Sequence, residues 1–332
     1  MQQPVDLVTV SYNQEIRLLQ MQARSIARYA DPAFVGTIYV ISNEKRFRHF
    51  KRLFLRDVLP EYGVFGTRVK LLDHRDIIPK TLETTGWESQ QVYKLKIADM
   101  LESPVYLVLD SKNIFVAPVS FETFFLEDGR LGIMRGQMNE KLGKLFDNAC
   151  ALFGVTPSPE CYELALPMAT PYPMVTAEVR SMMRFMEEAR QADFFTAFIE
   201  GQLYCEFYTY YAWLLKEGKL DSLYERQWAI NLTLWNKEFI AREGMPAILD
   251  KLGLERTRMM GIHRKFLRDG TAEQKKQVGD FWISRGLLSS SDEHVYFLSE
   301  PEDERAGFLK LVGKLGKPYR RWKRKRQRQK AL

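Results

Sequence analysis

The segment that most constrains the fold is residues 104–118, an apolar stretch interrupted by a short polar cluster. Residues 104–109 are apolar without alternation, which is typical of a strand with sheet neighbours on both sides and helices over both faces. The run stops at the sequence Asp110-Ser111-Lys112-Asn113. Because ligands of open α/β sheets bind outside the carboxyl ends of the strands, this cluster is a candidate for binding a charged ligand. An ordinary strand-ending turn is the alternative.

The rest of the N-terminal half alternates between strand and helix patterns. Residues 5–10, 37–41 and 69–72 have the composition of strands, and apolar residues after the first of them recur at spacings of three and four, as in a helix. This order predicts an α/β fold with a mixed, mainly parallel sheet flanked by helices. No GxGxxG or GxxxxGK loop follows a predicted strand, which disfavours dinucleotide-binding enzymes and P-loop nucleotidases.

A predicted helix over residues 86–101 carries Gln90, Gln91 and Lys94 on one face. This face is either solvated or directed into the same crevice as Asp110. The proline-rich segment 167–176 is predicted to be extended. Further helices are predicted over residues 141–153, 177–191, 194–216 and 271–284, and short strands over residues 228–235, 259–263 and 294–298.

Two titratable residues of the C-terminal half are candidates for function. Glu206 is surrounded in sequence by aromatic residues, and a carboxylate in such surroundings is paired or functional, because burying it alone is costly. The aromatic residues themselves are more often core than a sugar platform. His263 follows an apolar run, where a histidine is more often a core or loop residue than a ligand, so it predicts little by itself.

Length and composition set broad limits on the class of protein. The chain has 332 residues, 45% hydrophobic and 27% charged, as in ordinary globular proteins. No stretch approaches the roughly 20 apolar residues of a membrane span, and the N-terminus lacks the pattern of a secretory signal. We therefore expect a cytoplasmic protein. The three cysteines match no common zinc motif.

The positive charge is concentrated at the C-terminus. Nine Lys and Arg and no acid lie between residues 317 and 330, so the net charge of +7 leaves −2 on the rest of the chain. Such a segment suits an anionic membrane surface, nucleic acid or a polyanionic product. Because the body has no basic excess, nucleic-acid binding is disfavoured. We expect peripheral attachment to the inner face of a membrane.

Several short segments, taken in order, resemble a known family. They are Gly86-Trp87, Gln90-Gln91, Lys94-Leu95, Leu109-Asp110-Ser111-Lys112-Asn113, Thr170-Pro171-Tyr172-Pro173, the region of Glu206, Ile262-His263-Arg264 and Arg285-Gly286-Leu287. The set resembles the bacterial family called domain of unknown function 6492, whose members are similar to glycosyltransferases of the GT-A fold. The resemblance extends from Val5 to about Leu288.

The resemblance implies a GT-A-like domain over residues 1–300, with a nucleotide-binding half at about 1–118 and an acceptor half at about 119–300. A C-terminal helix and the basic tail follow over residues 301–332. The implied activity is transfer of a sugar from a nucleotide-sugar, a UDP-sugar in the simplest case, to a glycan or glycolipid acceptor in cell-surface polysaccharide synthesis. A catalytically weak nucleotide-sugar or glycan binding protein on the same fold is the alternative.

Site residues follow from the resemblance and from their chemistry. Glu206 is predicted to act as the base or anchor for the acceptor, and Lys112 to provide a catalytic cation at the departing diphosphate. The residues predicted to bind the donor are Thr9, Ser11, Tyr12, Asn13, Trp87, Gln90, Gln91, Lys94, Asp110, Ser111 and Asn113.

A divalent metal ion is an open question at this stage. The usual GT-A motif is Asp-x-Asp, and here Lys112 replaces the second acid. An ammonium group cannot ligate Mg²⁺ or Mn²⁺. Either Asp110 and His263 hold a weakly bound metal, or Lys112 neutralises the diphosphate directly. The resemblance to GT-A enzymes, in which a histidine late in the chain often completes the metal site, slightly favours the metal.

Overall fold

The computed structural model describes residues 3–79, 86–200, 205–226, 228–254, 256–290 and 293–300. The described residues up to Ser299 belong to one compact unit. Residues 301–332, with the predicted helix and basic tail, lie outside the described residues, and the predicted division into halves stays a prediction. No helix among the described residues is both long and apolar enough to cross a membrane.

The strands form one large sheet and two small ones. In the part of the chain that the structure describes, the strands are β1 (Val5–Ser11), β2 (Val35–Ser42), β3 (Val69–Asp73), β4 (Val105–Asp110), β5 (Asn113–Phe115), β6 (Leu131–Gly132), β7 (Tyr172–Val175), β8 (Tyr224–Glu225), β9 (Asn231–Leu234) and β10 (Met259–Ile262). The main sheet has the order β3-β2-β1-β4-β7, and the others are β5-β10-β9 and β6-β8. In the main sheet only β7 is antiparallel to its neighbour. The predicted mixed, mainly parallel sheet is confirmed.

Helices cover both faces of the main sheet. Their bounds are α1 (Ile16–Tyr29), α2 (Phe47–Leu53), α3 (His74–Ile77), α4 (Gly86–Lys96), α5 (Phe121–Phe124), α6 (Glu140–Phe153), α7 (Glu160–Glu163), α8 (Thr176–Arg190), α9 (Phe194–Glu200), α10 (Glu206–Lys216), α11 (Leu220–Leu223), α12 (Lys237–Glu243), α13 (Met245–Lys251), α14 (Arg264–Asp269), α15 (Ala272–Ser284) and α16 (Glu293–Leu298). Val8 and Val108 pack on the face covered by α4, α8 and α10. Leu7 and Leu107 pack on the face covered by α1. Burial on both faces explains why these strands do not alternate in sequence.

The strand order changes direction beside β1. The chain adds β2 and β3 on one side of β1 and then places β4 on the other. A topological switch point therefore lies between the carboxyl ends of β1 and β4, which is where open α/β sheets bind ligands. The turn after β4 leads directly into β5, which pairs with β10 in the second sheet. The predicted polar cluster thus lies at the switch point and at the junction of two sheets.

Two predicted elements differ from the structure. The predicted helix over residues 194–216 is two helices, α9 and α10, so Glu206 begins a helix instead of lying inside one. Residues 294–298, predicted as a strand, belong to α16, because a short apolar run does not distinguish strand from helix. The proline-rich segment supplies β7 at the edge of the main sheet, where a proline is tolerated.

Candidate functional site

Buried hydrogen bonds fix the turn after β4. The side-chain Oδ1 of Asn113 accepts a hydrogen bond from the backbone N of Asp110 at 2.8 Å. Gln22 on α1 donates through Nε2 to the carbonyl oxygens of Asp110 and Asn113, at 2.7 and 3.1 Å. Ser111 Oγ donates to Ser11 Oγ at 2.9 Å, which joins the ends of β4 and β1. The polar cluster is therefore a turn that hydrogen bonds hold in place, and its role in binding a ligand stays a prediction.

Four charged side chains beside this turn form a continuous ion chain, Glu206-Lys94-Asp110-Lys112. Lys94 Nζ lies 3.1 Å from Glu206 Oε1 and 3.0 Å from Asp110 Oδ1. Lys112 Nζ lies 2.6 Å from Asp110 Oδ2. Lys112 and Asp110 keep 23% and 24% of their side-chain surface exposed, whereas Lys94 and Glu206 keep 7% and 5%. The ion chain thus runs from the interior outward and ends in the ammonium group of Lys112.

The ion chain keeps its two central members charged. Burial alone would raise the pKa of Asp110, but the ammonium groups of Lys112 and Lys94 hold the pKa of this carboxyl far below its usual range. Burial alone would lower the pKa of Lys94, but the carboxylates of Asp110 and Glu206 hold it above its usual value. Both groups are therefore ionised at neutral pH.

Helices α4 and α10 position the inner pair of the ion chain. Tyr106 OH donates to the carbonyl oxygen of Lys94 at 3.0 Å, and Gln91 Oε1 accepts from the backbone N of Glu206 at 3.2 Å. Glu206 is the first residue of α10, where the helix dipole stabilises a carboxylate. Its second oxygen accepts a long hydrogen bond from Cys205 Sγ at 3.7 Å. Glu206 is nearly buried and fully engaged, so this geometry suits a residue that positions Lys94. Its role as a base stays a prediction.

A carboxylate that the sequence patterns did not single out, Glu15, lies close enough to the turn after β4 to interact with Asp110 and Lys112. Its Oε1 accepts from Tyr12 OH at 3.1 Å, and this hydroxyl accepts in turn from Arg264 Nη1 at 3.1 Å. Burial and the nearby charge of Asp110 raise the pKa of Glu15, and Lys112 opposes this shift. The predicted donor residues after β1 end at Asn13. A helical spacing of three from Tyr12 is the signal that points to Glu15.

The remaining predicted donor residues differ in their burial and in their hydrogen-bond partners. Thr9 is buried in β1, and its Oγ1 donates to Gln22 Oε1 at 3.0 Å. The side-chain Oδ1 of Asn13 is buried and finds no hydrogen-bond partner among the described residues. Trp87 is 50% exposed at the start of α4, and Gln90 is half-buried one turn later. Thr9 therefore supports the turn through Gln22, whereas donor binding by Asn13, Trp87 and Gln90 stays a prediction.

The residues predicted to hold a metal have other partners in this arrangement. Both carboxylate oxygens of Asp110 already contact ammonium groups, whose charge opposes a further cation. His263 caps α14, and its Nδ1 accepts from the backbone N of Lys265 at 3.2 Å. Within the described ranges, no group of three or more His, Cys, Asp or Glu side chains is placed to hold a metal ion. Metal binding by Asp110 and His263 stays a prediction.

Comparison with protein families tests the resemblance that the motifs indicated. The sequence profile of a family of unknown function, DUF6492, matches residues 4–238, which is more than half of the chain. The chain belongs to this family. The match includes the main sheet and every member of the ion chain, and it ends before β10 and His263. The family resemblance is confirmed, and the part of the site that it covers is the ion chain.

Three of the solved structures that align with this chain are glycosyltransferases. The galactosyltransferase LgtC, in complex with donor and acceptor sugar analogues, has 14% identity and a TM-score of 0.44 over 86% of this chain and 97% of that chain. The bifunctional glycosyltransferase WbbM has 12% identity and a TM-score of 0.49 over 90% and 52%. Mouse xyloside xylosyltransferase 1 has 13% identity and a TM-score of 0.40 over 78% and 98%. No curated protein matches significantly. Likeness at this level establishes neither the activity nor the ligands of this chain.

Proposed function

We propose that this protein is a glycosyltransferase that moves a sugar from a nucleotide-sugar, a UDP-sugar in the simplest case, to a glycan or glycolipid acceptor. The observation that carries the proposal is the ion chain at the switch point of the main sheet. It presents the ammonium group of Lys112 where α/β proteins bind nucleotides. The choice of a sugar donor rests on the resemblance of the motifs to those of GT-A glycosyltransferases.

In this proposal the chemistry depends on the charge that develops on the departing diphosphate. The ammonium group of Lys112 contacts the diphosphate as a point charge, and Asp110 orients it through the 2.6 Å contact. Lys94 and Glu206 hold Asp110 from the interior, so the cation needs no reorganisation during transfer. Partial burial strengthens its interaction with the diphosphate, because charges act more strongly at low dielectric.

The proposal predicts that the protein releases nucleoside diphosphate from at least one nucleotide-sugar. Purified protein is incubated with a panel of nucleotide-sugars, with and without glycan acceptors, and the released nucleotide is measured. Because Lys112 faces the diphosphate and Asp110 is saturated by ammonium groups, excess EDTA is expected to leave the rate unchanged.

Other outcomes of this assay have distinct meanings. Tight binding of a nucleotide-sugar without turnover would support the alternative, a binding protein on the same fold. Loss of turnover in EDTA with recovery in Mn²⁺ or Mg²⁺ would show that Asp110 ligates a metal despite its ion pairs. Neither binding nor turnover with any donor contradicts the proposed function.

We also propose that the basic tail over residues 317–330 attaches the protein to anionic membranes at the inner face. Its nine cations are each worth about 1 kcal/mol near such a surface, and the attraction weakens with salt. A chain ending at Gly316 is expected to lose sedimentation with vesicles containing anionic lipid, and the full chain to lose it at high salt. Equal sedimentation of both chains would contradict this attachment.

A further inference from the structure

Trp235 is a large side chain at the same end of the β5-β10-β9 sheet as Lys112. It directly follows β9, and His263 directly follows the parallel neighbour β10. On the other side of β10, the backbone N of Ile262 donates to the carbonyl oxygen of Lys112, which precedes β5, at 3.1 Å. One end of this sheet therefore carries three side chains next to adjacent strands: Lys112 before β5, His263 after β10 and Trp235 after β9. Since neighbouring strands lie ~4.8 Å apart, the backbones of Trp235 and Lys112 are about 10 Å apart across this end of the sheet.

The indole of Trp235 is held against the imidazole of His263. Their ring centroids are 4.8 Å apart with an interplanar angle of 43°. Hydrogen bonds fix His263: its Nδ1 accepts from the backbone N of Lys265, and its backbone N donates to Leu234 O at 3.0 Å. Trp235 is fixed by its neighbour Asn236, which caps α12. Burial and nearby ammonium groups lower the pKa of His263. The ring behind the indole is therefore neutral at neutral pH.

Trp235 nevertheless keeps 42% of its surface exposed. A residue just before a helix cap often packs on the fourth residue of the helix, here Ile240. A contact of this kind would bury one part of the ring and would not explain why the remainder is exposed. An exposed indole with a fixed backing offers a broad apolar face with a polar edge. The C–H face of a pyranose ring is a partner of matching shape and chemistry.

We infer that Trp235, backed by His263, is the stacking platform for a pyranose ring of the acceptor. The inference deepens the proposed function and rests on it for the class of the acceptor. The separation of about two strand spacings between Lys112 and Trp235 leaves room for the transferred sugar between the diphosphate and the acceptor ring.

The test compares the full chain with its variants Trp235→Ala, Trp235→Phe and Val64→Ala on an oligosaccharide array. Val64 is a matched control because it is an apolar side chain, 74% exposed, in the segment before β3. The wild type, Trp235→Phe and Val64→Ala are expected to bind the same glycans. Trp235→Ala is expected to bind them about tenfold more weakly, because the stacking area is lost. A purely structural role of the indole would instead lower the thermal unfolding midpoint of Trp235→Ala and leave the glycan affinity of its folded molecules unchanged.

Several results would overturn the inference. They are the absence of any bound glycan in the wild type and unweakened binding by Trp235→Ala. If Trp235→Ala fails to fold, Trp235→Phe provides the test. Glycan binding is then expected to change the tryptophan fluorescence of Trp235→Phe less than that of the wild type. An equal change in both proteins would overturn the platform.

The donor assay separates this inference from the proposed function. Nucleotide release without Trp235-dependent glycan binding would contradict the proposed platform and still support the proposed transferase. Trp235-dependent glycan binding without nucleotide release for any donor removes the transferase and leaves a glycan-binding site.

Discussion

Replacing Lys94 with methionine is expected to lower the free energy of unfolding by about 3–5 kcal/mol at neutral pH. Lys94 lies between two carboxylates and keeps only 7% of its side-chain surface exposed. Methionine retains the apolar stem but removes the ammonium group. Asp110 still contacts Lys112, whereas Glu206 is left buried without a cation within 4 Å among the described residues. The expected loss of stability is the cost of leaving the buried charge of Glu206 uncompensated.

Urea unfolding at pH 7, followed by far-UV circular dichroism, measures this loss. Lys96→Met is the control on the same helix, because Lys96 pairs with the exposed residue Asp99 at the surface. Its change is expected to stay within about 1 kcal/mol. If Lys94→Met loses no more stability than this control, the ion chain is not buried in the way that the structure describes.

The pH dependence of the same variant has a definite sign. In the wild type the folded-state pKa of Asp110 lies far below its unfolded value near 3.8. The carboxylate therefore stabilises the fold above its unfolded pKa, and this contribution is lost as the pH falls through the folded pKa. Lys94→Met removes part of the contribution. The difference in the free energy of unfolding between wild type and variant is expected to be largest above about pH 5 and to decrease as the pH is lowered further.

The further variants Lys94→Met/Glu206→Gln and Glu206→Gln separate the roles of Glu206. The double variant is expected to be more stable than Lys94→Met, because the buried carboxylate has become a neutral amide. If Glu206 positions Lys94, Glu206→Gln alone lowers both stability and turnover. If Glu206 is the base, turnover falls by about 10² to 10⁴ while stability changes little.

Local patterns predicted the fold class because they report on burial of single elements. The apolar run at residues 104–109 predicted β4, and the order of strands and helices predicted the parallel sheet. The sequence leaves the burial of Lys94 open, since its helix face suits solvent equally well. Burial of Lys94 depends on Glu206, 112 residues later in the chain, and no local pattern contains a contact of that range.

The same limit explains which contacts of the candidate site the sequence does not show. The sequence does not show that His263 caps a helix, because the acceptor role of its Nδ1 becomes visible only when Lys265 N is placed; metal binding by His263 stays a prediction. Glu15 was missed because its nearness to Asp110 requires β1 and β4 to be neighbours. Sequence predicts which polar residues end the strands, whereas the pairing of the strands decides which of them meet.

Replacing Lys112 with alanine is expected to weaken binding of UDP, used as the probe, by about 10- to 100-fold. Two charges 4 Å apart interact by about 4 kcal/mol at an effective dielectric of 20. Because 23% of the Lys112 side chain is exposed, solvent screens part of this attraction, and about 1.4–2.7 kcal/mol corresponds to the expected factor. Lys112→Arg keeps the charge and is expected to retain most of the affinity.

Isothermal titration calorimetry with UDP measures these affinities in EDTA and in Mn²⁺. Lys144→Ala is the control, because it removes a lysine that is 71% exposed on α6 and is expected to bind UDP like the wild type. Unchanged affinity in Lys112→Ala would place the diphosphate elsewhere, and the proposed donor site would lose its main support.

Lys112→Asp tests the relationship between lysine and metal most directly. The change restores an Asp-x-Asp sequence and frees Asp110 Oδ2 from its ammonium partner. In EDTA the added negative charge is expected to repel the diphosphate, so that UDP binds more weakly than to Lys112→Ala. In Mn²⁺ the two carboxylates, with Glu15 at the same crevice, provide oxygen ligands that a hard cation prefers. Binding of UDP is then expected to recover. If Lys112→Asp binds UDP equally weakly in Mn²⁺ and in EDTA, the carboxylates at this site do not bind the ion. This result would contradict the view that Lys112 occupies the position of a metal-ligating acid.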